Sequence, residues 1–256
     1  MAKKKALVIV PFALDAAGVA NRKLQTRAVK LGPDIEFDFK PVTAGPTSFM
    51  SAHDWMLMDL AIFEAGLEAE KDGYDAVVID TMSDSGMAPL RSMLKIPIVS
   101  PGRASMMFAL LLGNKFAVLA QWEPSVLRIK KAVHEYGLSN QCAAVEHFDT
   151  PPDFANLLSG KEDKVFPKMK AAAERAMAKG AEVICLGSTT MHQAAEYLAG
   201  ALPIPVINPG PLTYKLVEAW LALKLSHSRK AYPAPLVPKI EMVHAMLAAA
   251  AKAEKK

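Results

Sequence analysis

Cysteine is nearly absent: Cys142 and Cys185 are the only two in 256 residues. Two cysteines cannot frame a disulfide scaffold, and they suit a reducing, cytoplasmic compartment. Long apolar runs are missing as well, and no stretch reaches the roughly 20 residues a membrane span needs. Aromatics make up 7% and are not interleaved with basic residues, while 30 Lys+Arg face 26 Asp+Glu. Much of that small cationic excess lies at the ends, in Lys3, Lys4 and Lys5 and in Lys252, Lys255 and Lys256. It reads as solvated termini and not as a nucleic-acid surface. Glycine-rich phosphate loops are lacking, so NAD, FAD and ATP are not implied, and no His/Cys/Asp cluster has metal-ligand spacing. The expectation is a protein with no cofactor and no metal that takes a small molecule and engages neither nucleic acid nor membrane. Whether it forms a homo-oligomer stays open.

What is present is an ordinary globular composition, 52% hydrophobic and 22% charged, which excludes disorder and collagen-like repeats. The first residues imitate a secretory leader, with three lysines ahead of an apolar run. The run is short, Pro11 ends it and Asp15 follows, so a first buried strand is expected instead. Short apolar runs then alternate with longer helical patterns. The spacing predicts strands over 6–10, 35–41, 76–79, 98–99, 116–120, 183–186 and 206–207. It predicts helices over 55–71, 104–112, 125–136, 163–179, 190–198, 212–225 and 242–254. Strands alternating with helices imply parallel α/β sheets.

The chain also repeats itself. Lys5-Ala6-Leu7-Val8-Ile9-Val10 resembles Lys115-Phe116-Ala117-Val118-Leu119-Ala120, an offset of 110. Gly73-Tyr74-Asp75-Ala76-Val77-Val78-Ile79-Asp80-Thr81 resembles Gly180-Ala181-Glu182-Val183-Ile184-Cys185-Leu186-Gly187-Ser188, an offset of 107. Ile96-Pro97-Ile98-Val99-Ser100-Pro101-Gly102 resembles Ile204-Pro205-Val206-Ile207-Asn208-Pro209-Gly210, an offset of 108. Three blocks in one order at nearly one offset indicate a duplicated α/β unit. Lobe 1 is expected to comprise residues 1–100 plus 211–256, and lobe 2 residues 101–210. Ligands of open α/β sheets sit at the carboxyl ends of the strands. There, Thr81 and Ser188 each open a polar turn before a helix. The N–H groups of Ser83, Thr189 and Thr190 could cradle an anion. Equally, the hydroxyls could cap helices.

These blocks resemble the aspartate/glutamate/hydantoin racemase superfamily, the hydantoin racemase branch most closely. Further matching pieces are Gly45-Pro46 with Ser48, Asp84 with Gly86, Leu112-Gly113, and Leu186-Gly187. The resemblance runs from Val8 to about Glu218. It implies two pseudo-symmetric flavodoxin-like lobes with parallel sheets, an active site in the cleft between them, and a first lobe completed by the C-terminal helices. It also implies two catalytic cysteines, one at the end of the same strand in each lobe. Those positions here are Thr81 and Ser188. A free thiol titrates near about 8.5 and is readily lowered, so it can serve as a base; an alcohol needs a base of its own. A two-thiol mechanism is therefore not expected.

The resemblance leaves an isomerase or lyase acting on a small carboxylate or cyclic amide through an enediolate-like intermediate, with hydroxyls as oxyanion donors. A hydrolase using Ser188 or an activated water, and a thiol-less small-ligand binding protein, are the alternatives. Candidate catalytic groups are Thr81, Ser188, Asp84 and His192, the last one helical turn beyond Ser188. An acidic residue stands at the Asp84 position in the family, and Asp80 could act or point away. His53-Asp54 could contact substrate or cap the helix beginning near Trp55. Candidate substrate contacts are Pro11, Phe12, Ser48, Phe49, Met82, Ser83, Gln121, Trp122, Thr189 and Thr190, with Trp55 and Met87 as further walls. Pro11 and Phe12 replace the polar strand-end residues usual in the branch, which points to a more apolar substrate or a different ring. Arg103 could pair with a substrate carboxylate or with Asp84. Cys185 is expected to fill core.

Overall fold

The computed structural model describes residues 3–151 and 162–253, apart from the side chains of Glu162 and His192. It divides into two compact units, Met1–Ser100 with Thr213–Lys256, and Pro101–Leu212. The first lobe holds strands β1 (Lys4–Val10), β2 (Ile35–Pro41), β3 (Ala76–Ile79) and β4 (Ile98–Val99). The second holds β5 (Phe116–Ala120), β6 (Cys142–His147), β7 (Val183–Leu186) and β8 (Val206–Ile207). Both sheets are parallel throughout. Their orders are β2-β1-β3-β4 and β6-β5-β7-β8. The same order in each sheet gives the sequence repeat a physical form. Ile9 pairs with Ile79, and Leu119 with Leu186. One residue on, the Asp80 amide donates to the Ile9 carbonyl at 3.0 Å and the Gly187 amide to the Leu119 carbonyl at 2.9 Å.

Parallel strands covered on both faces read as continuous apolar runs, which is why β3 and β7 were legible. Every residue of both strands is buried. In the first lobe Leu7, Ile9, Val77 and Ile79 pack on helices α2 (Ala52–Gly66), α3 (Met87–Met93) and α9 (Ile240–Ala253). In the second lobe, alternate β5 and β7 residues feed two cores. Leu119 and Leu186 meet α6 (Glu162–Ala178) and α7 (His192–Ala201), while Val118 and Cys185 meet α4 (Pro101–Ala109) and α5 (Glu123–Glu135).

Two helices differ from the sequence expectation. Helix α1 (Ala16–Lys23) is a short polar helix, opened by Asp15, whose carboxylate accepts from the Gly18 amide at 2.8 Å. Helix α3 has only seven residues and contains Pro89. Strand β6 is a half-buried edge strand rich in alanine, a weak strand former. Helix starts also moved. Helix α4 and helix α8 (Pro209–Ala222) both begin on the proline of a Pro-Gly pair. That dipeptide looks like a breaker in sequence, yet proline suits the first helical position.

A buried ion pair ties the start of the chain to the end of β3. Arg22 Nη1 lies 3.1 Å from Asp80 Oδ2, with side-chain exposures of 6% and 2%. Gln25 Nε2 donates to the same oxygen at 3.3 Å. The Tyr214 ring lies near Phe37 and Phe39. Burial first, then the negative charge of Asp80, hold its hydroxyl well above the ordinary phenol range. Charge removed from one side of such a pair leaves the other buried and uncompensated. Arg22→Met is expected to cost about 3–5 kcal/mol in urea unfolding, and Arg22→Met with Asp80→Leu to recover most of it. A double variant as unstable as the single would refute the pairing as the source of that cost.

Candidate functional site

In the first lobe, the chain leaving β3 turns into α3 through residues 80–86. Thr81 Oγ1 lies 3.2 Å from Ser83 Oγ, and the Ser83 amide donates to Thr81 Oγ1 at 3.4 Å. Ser83 Oγ in turn lies 2.9 Å from Ser85 Oγ, so three hydroxyls form a line. The turn is held open by two left-handed residues, Asp84 at φ 54° and Gly86 at φ 72°. Gly86 is also required by space, since a Cβ there would come within 2.7 Å of Ile62 Cγ2. The Asp84 carboxylate is buried and accepts from the Ser100 hydroxyl, just past β4.

The second lobe repeats the motif between β7 and α7. Ser188 Oγ lies 3.0 Å from Thr190 Oγ1, and the Thr190 amide donates to Ser188 Oγ at 3.4 Å. Thr81 and Ser83 thus correspond to Ser188 and Thr190, residue for residue, at the repeat's offset. Gly187 brings the backbone closest: a Cβ on it would lie 2.5 Å from the Leu119 carbonyl oxygen. Asp80, its counterpart in the first lobe, instead sends a carboxylate into the Arg22 pair. Thr189 and Thr190 are buried, while Thr81, Ser83 and Ser188 are half-buried. The side chain of His192, expected one turn further on, lies outside the described residues.

Around the first-lobe turn, Pro11 is buried and Phe12 half-buried where the chain leaves β1. Phe12 meets Phe49 edge-on, with ring centroids 5.6 Å apart and planes at 89°. Ser48 donates its hydroxyl to Asp54 Oδ2 at 2.9 Å. Met82 and Met87 are buried, the latter opening α3. In the second lobe Gln121 and Trp122 leave β5 half-buried, and Trp122 is the residue preceding α5. Arg103 places its guanidinium over the Tyr136 ring at 5.4 Å. Both thiols are unsuited to ionise. Burial pushes Cys185 far up, and it pushes Cys142 up too. Cys185 packs in the second-lobe core, its Sγ 3.6 Å from the Ser105 carbonyl oxygen. Among the described residues no group of three or more His, Cys, Asp or Glu side chains could hold a metal ion. No helix among them is long and apolar enough to cross a membrane.

Ser85 and Ser100 were not singled out in the sequence. Ser100 carried a signal, since a small polar residue, Ser100 or Asn208, precedes Pro-Gly in both repeats. The cap of the helix near Trp55 is Ser51, and Asp54 supports it from the third helical position. Ser51 and Asp54 form a reciprocal capping box at the start of α2. Its carboxyl also accepts from the Met50 amide at 2.9 Å. The His53 ring above all, with Met50, Ser48 and Ser51, outweighs partial burial and holds it down at about 2 against an ordinary 3.8. A depressed carboxyl stabilises the loop above its ordinary pKa, and that contribution fades as pH falls from about 4 through about 2. The Met50 and Ser51 amide resonances are expected to titrate with a midpoint near 2, and not at all in Asp54→Asn. A midpoint near 4 would contradict the arrangement.

The family model for Asp/Glu/hydantoin racemase matches residues 20–217. A hydantoin racemase of Rhizobium meliloti is 30% identical over 172 residues, which make up 65% of this chain and 69% of that protein. An allantoin racemase from Klebsiella pneumoniae has the same fold, with a TM-score of 0.81 at 24% identity over 94% of this chain and 99% of that one. A substituted arylmalonate decarboxylase shares it more distantly, with a TM-score of 0.59 at 15% identity over 90% and 97% of the two chains. With the family model matched over residues 20–217 and a hydantoin racemase 30% identical, the chain belongs to the Asp/Glu/hydantoin racemase family of enzymes.

Proposed function

We propose that this family member is a cofactor-independent isomerase or lyase that acts on a small carboxylate or cyclic amide through an enediolate-like intermediate. One observation carries the reading: the same hydroxyl pair, Thr81 with Ser83 and Ser188 with Thr190, recurs at the two strand ends. By resemblance, those are the positions of the family's thiols. An alcohol at its ordinary pKa does not remove a proton from carbon near neutrality, whereas a thiol can be tuned to do so. Fixed hydroxyls do suit a different task. They donate to an oxygen that gains negative charge, and they need no ionisation to do it. Thr81, Ser83, Ser188, Thr189 and Thr190 are assigned that role, and Ser85 keeps Ser83 oriented toward Thr81. Decarboxylation breaks a C–C bond and leaves its electron pair in the enediolate, so a hydroxyl site serves a lyase step without a base, whereas an isomerase step also needs a group that takes the α-proton. Asp84 and His192 are the assigned proton carriers. Pro11, Phe12, Ser48, Phe49, Met82, Gln121 and Trp122 are the assigned contacts to the rest of the substrate. The names of the relatives support the two substrate classes, cyclic amides in hydantoin and allantoin racemases and carboxylates in arylmalonate decarboxylase.

The test is turnover of hydantoins, aspartate, glutamate and substituted malonates in deuterated water, followed by NMR for α-deuterium and for carbon dioxide release. Thr81→Ala and Ser188→Ala are each expected to lower turnover about 10²–10³-fold, the usual loss for one oxyanion donor. Turnover undiminished in both variants would sink the assignment, as would rapid α-exchange by the unaltered protein that survives them. The double variant Thr81→Cys with Ser188→Cys is expected to gain α-deuterium exchange, because it supplies bases of tunable pKa.

A further inference from the structure

We infer that the edge-on pair Phe12 and Phe49 sets the specificity of this site, selecting substrates with a flat, unsaturated substituent: an aryl carboxylate or an aryl-substituted cyclic amide. The inference rests on the proposed function above and goes beyond it in naming the group that is recognised. Phe12 leaves β1 two residues after Val10, and Thr81 leaves β3 two residues after Ile79. Ile9 and Ile79 are ladder partners in neighbouring parallel strands. The aromatic pair and the hydroxyl turn therefore depart from the same end of one sheet. An oxygen held at Thr81 and Ser83 leaves the remainder of a small molecule near the rings.

The pair is also held in place before any ligand arrives. Phe49 sits in a short loop whose residues on both sides are tied to one carboxylate. Asp54 accepts from the Ser48 hydroxyl at 2.9 Å, from the Met50 amide at 2.9 Å and from the Ser51 amide at 3.2 Å. The Trp55 indole N–H donates to the Phe49 carbonyl at 3.4 Å. Phe12 and Phe49 rest against the first-lobe core, yet each residue is only half-buried. The two rings lie 5.6 Å apart at 89°, and an aromatic group set against either adds ring–ring attraction to its area burial, which an alkyl group lacks. A fixed wall adds selectivity because little side-chain freedom is lost on binding.

Matched pairs of probes decide the matter: phenylmalonate against methylmalonate, and 5-phenylhydantoin against 5-methylhydantoin, titrated by calorimetry and by ligand-detected NMR. The aryl member of each pair is expected to bind at least about tenfold more tightly, from added apolar burial and ring–ring contact. Phe12→Leu and Phe49→Leu nearly conserve volume. Each is expected to weaken binding of both members of a pair, the aryl member more, so that the ratio shrinks several-fold while circular dichroism shows the fold retained. Equal affinities for both members, or a ratio unmoved in the leucine variants, would overturn the specificity role and leave the proposed function standing. Failure of every probe to bind at millimolar concentration, or binding undiminished in Thr81→Ala, would overturn the proposed function and this inference with it.

Discussion

In the first sheet β1 and β3 run parallel, Ile9 lies beside Ile79, and the two chains leave the sheet side by side. Parallel pairing has a consequence that antiparallel pairing lacks. All strands release their chains at one end, and each must return by a long crossover. Polar turns, wall residues and helix starts are thereby gathered at that end, although they are far apart in sequence. Thr81, Phe12 and Ser100 meet the same sheet end for this reason. The second sheet repeats the order, so Ser188, Trp122 and Asn208 hold the equivalent positions in their own lobe.

The two lobes are not chemically equivalent, and the differences sit where the repeat is otherwise most regular. Asp80 and Gly187 occupy the same position and make the same backbone hydrogen bond. One sends a charge into a buried pair with Arg22, while the other has no room for a Cβ. The first turn carries a line of three hydroxyls and the second a pair. Neither cysteine stands at a strand-end turn: Cys185 is sealed in core and Cys142 opens an edge strand.

Apolar runs bound by turn residues revealed the buried strands 76–79, 98–99, 116–120 and 183–186 with their limits, because a strand covered on both faces has no polar alternation to hide it. The elements that escaped have weak local signals. Helix α1 is short and polar, and α3 contains a proline. Helices α4 and α8 were read three residues late, since their opening Pro-Gly pairs mimic a break. At the candidate site, the hydroxyls at 81 and 188 were legible through the repeat. Their pairing with Ser83 and Thr190 was not, for it depends on backbone torsions within each turn.

The sequence by itself determined the family, the duplication and the absence of thiols at both strand ends, since these are matters of residue type and order. Only the tertiary structure decided which polar groups are already committed. Asp80 belongs to Arg22, Asp84 receives the Ser100 hydroxyl, and Asp54 organises the loop that carries Phe49. Those pairings span from 4 to 58 residues of chain. The longer ones are set by which strands lie adjacent and which crossovers pass over them, and no local pattern encodes that.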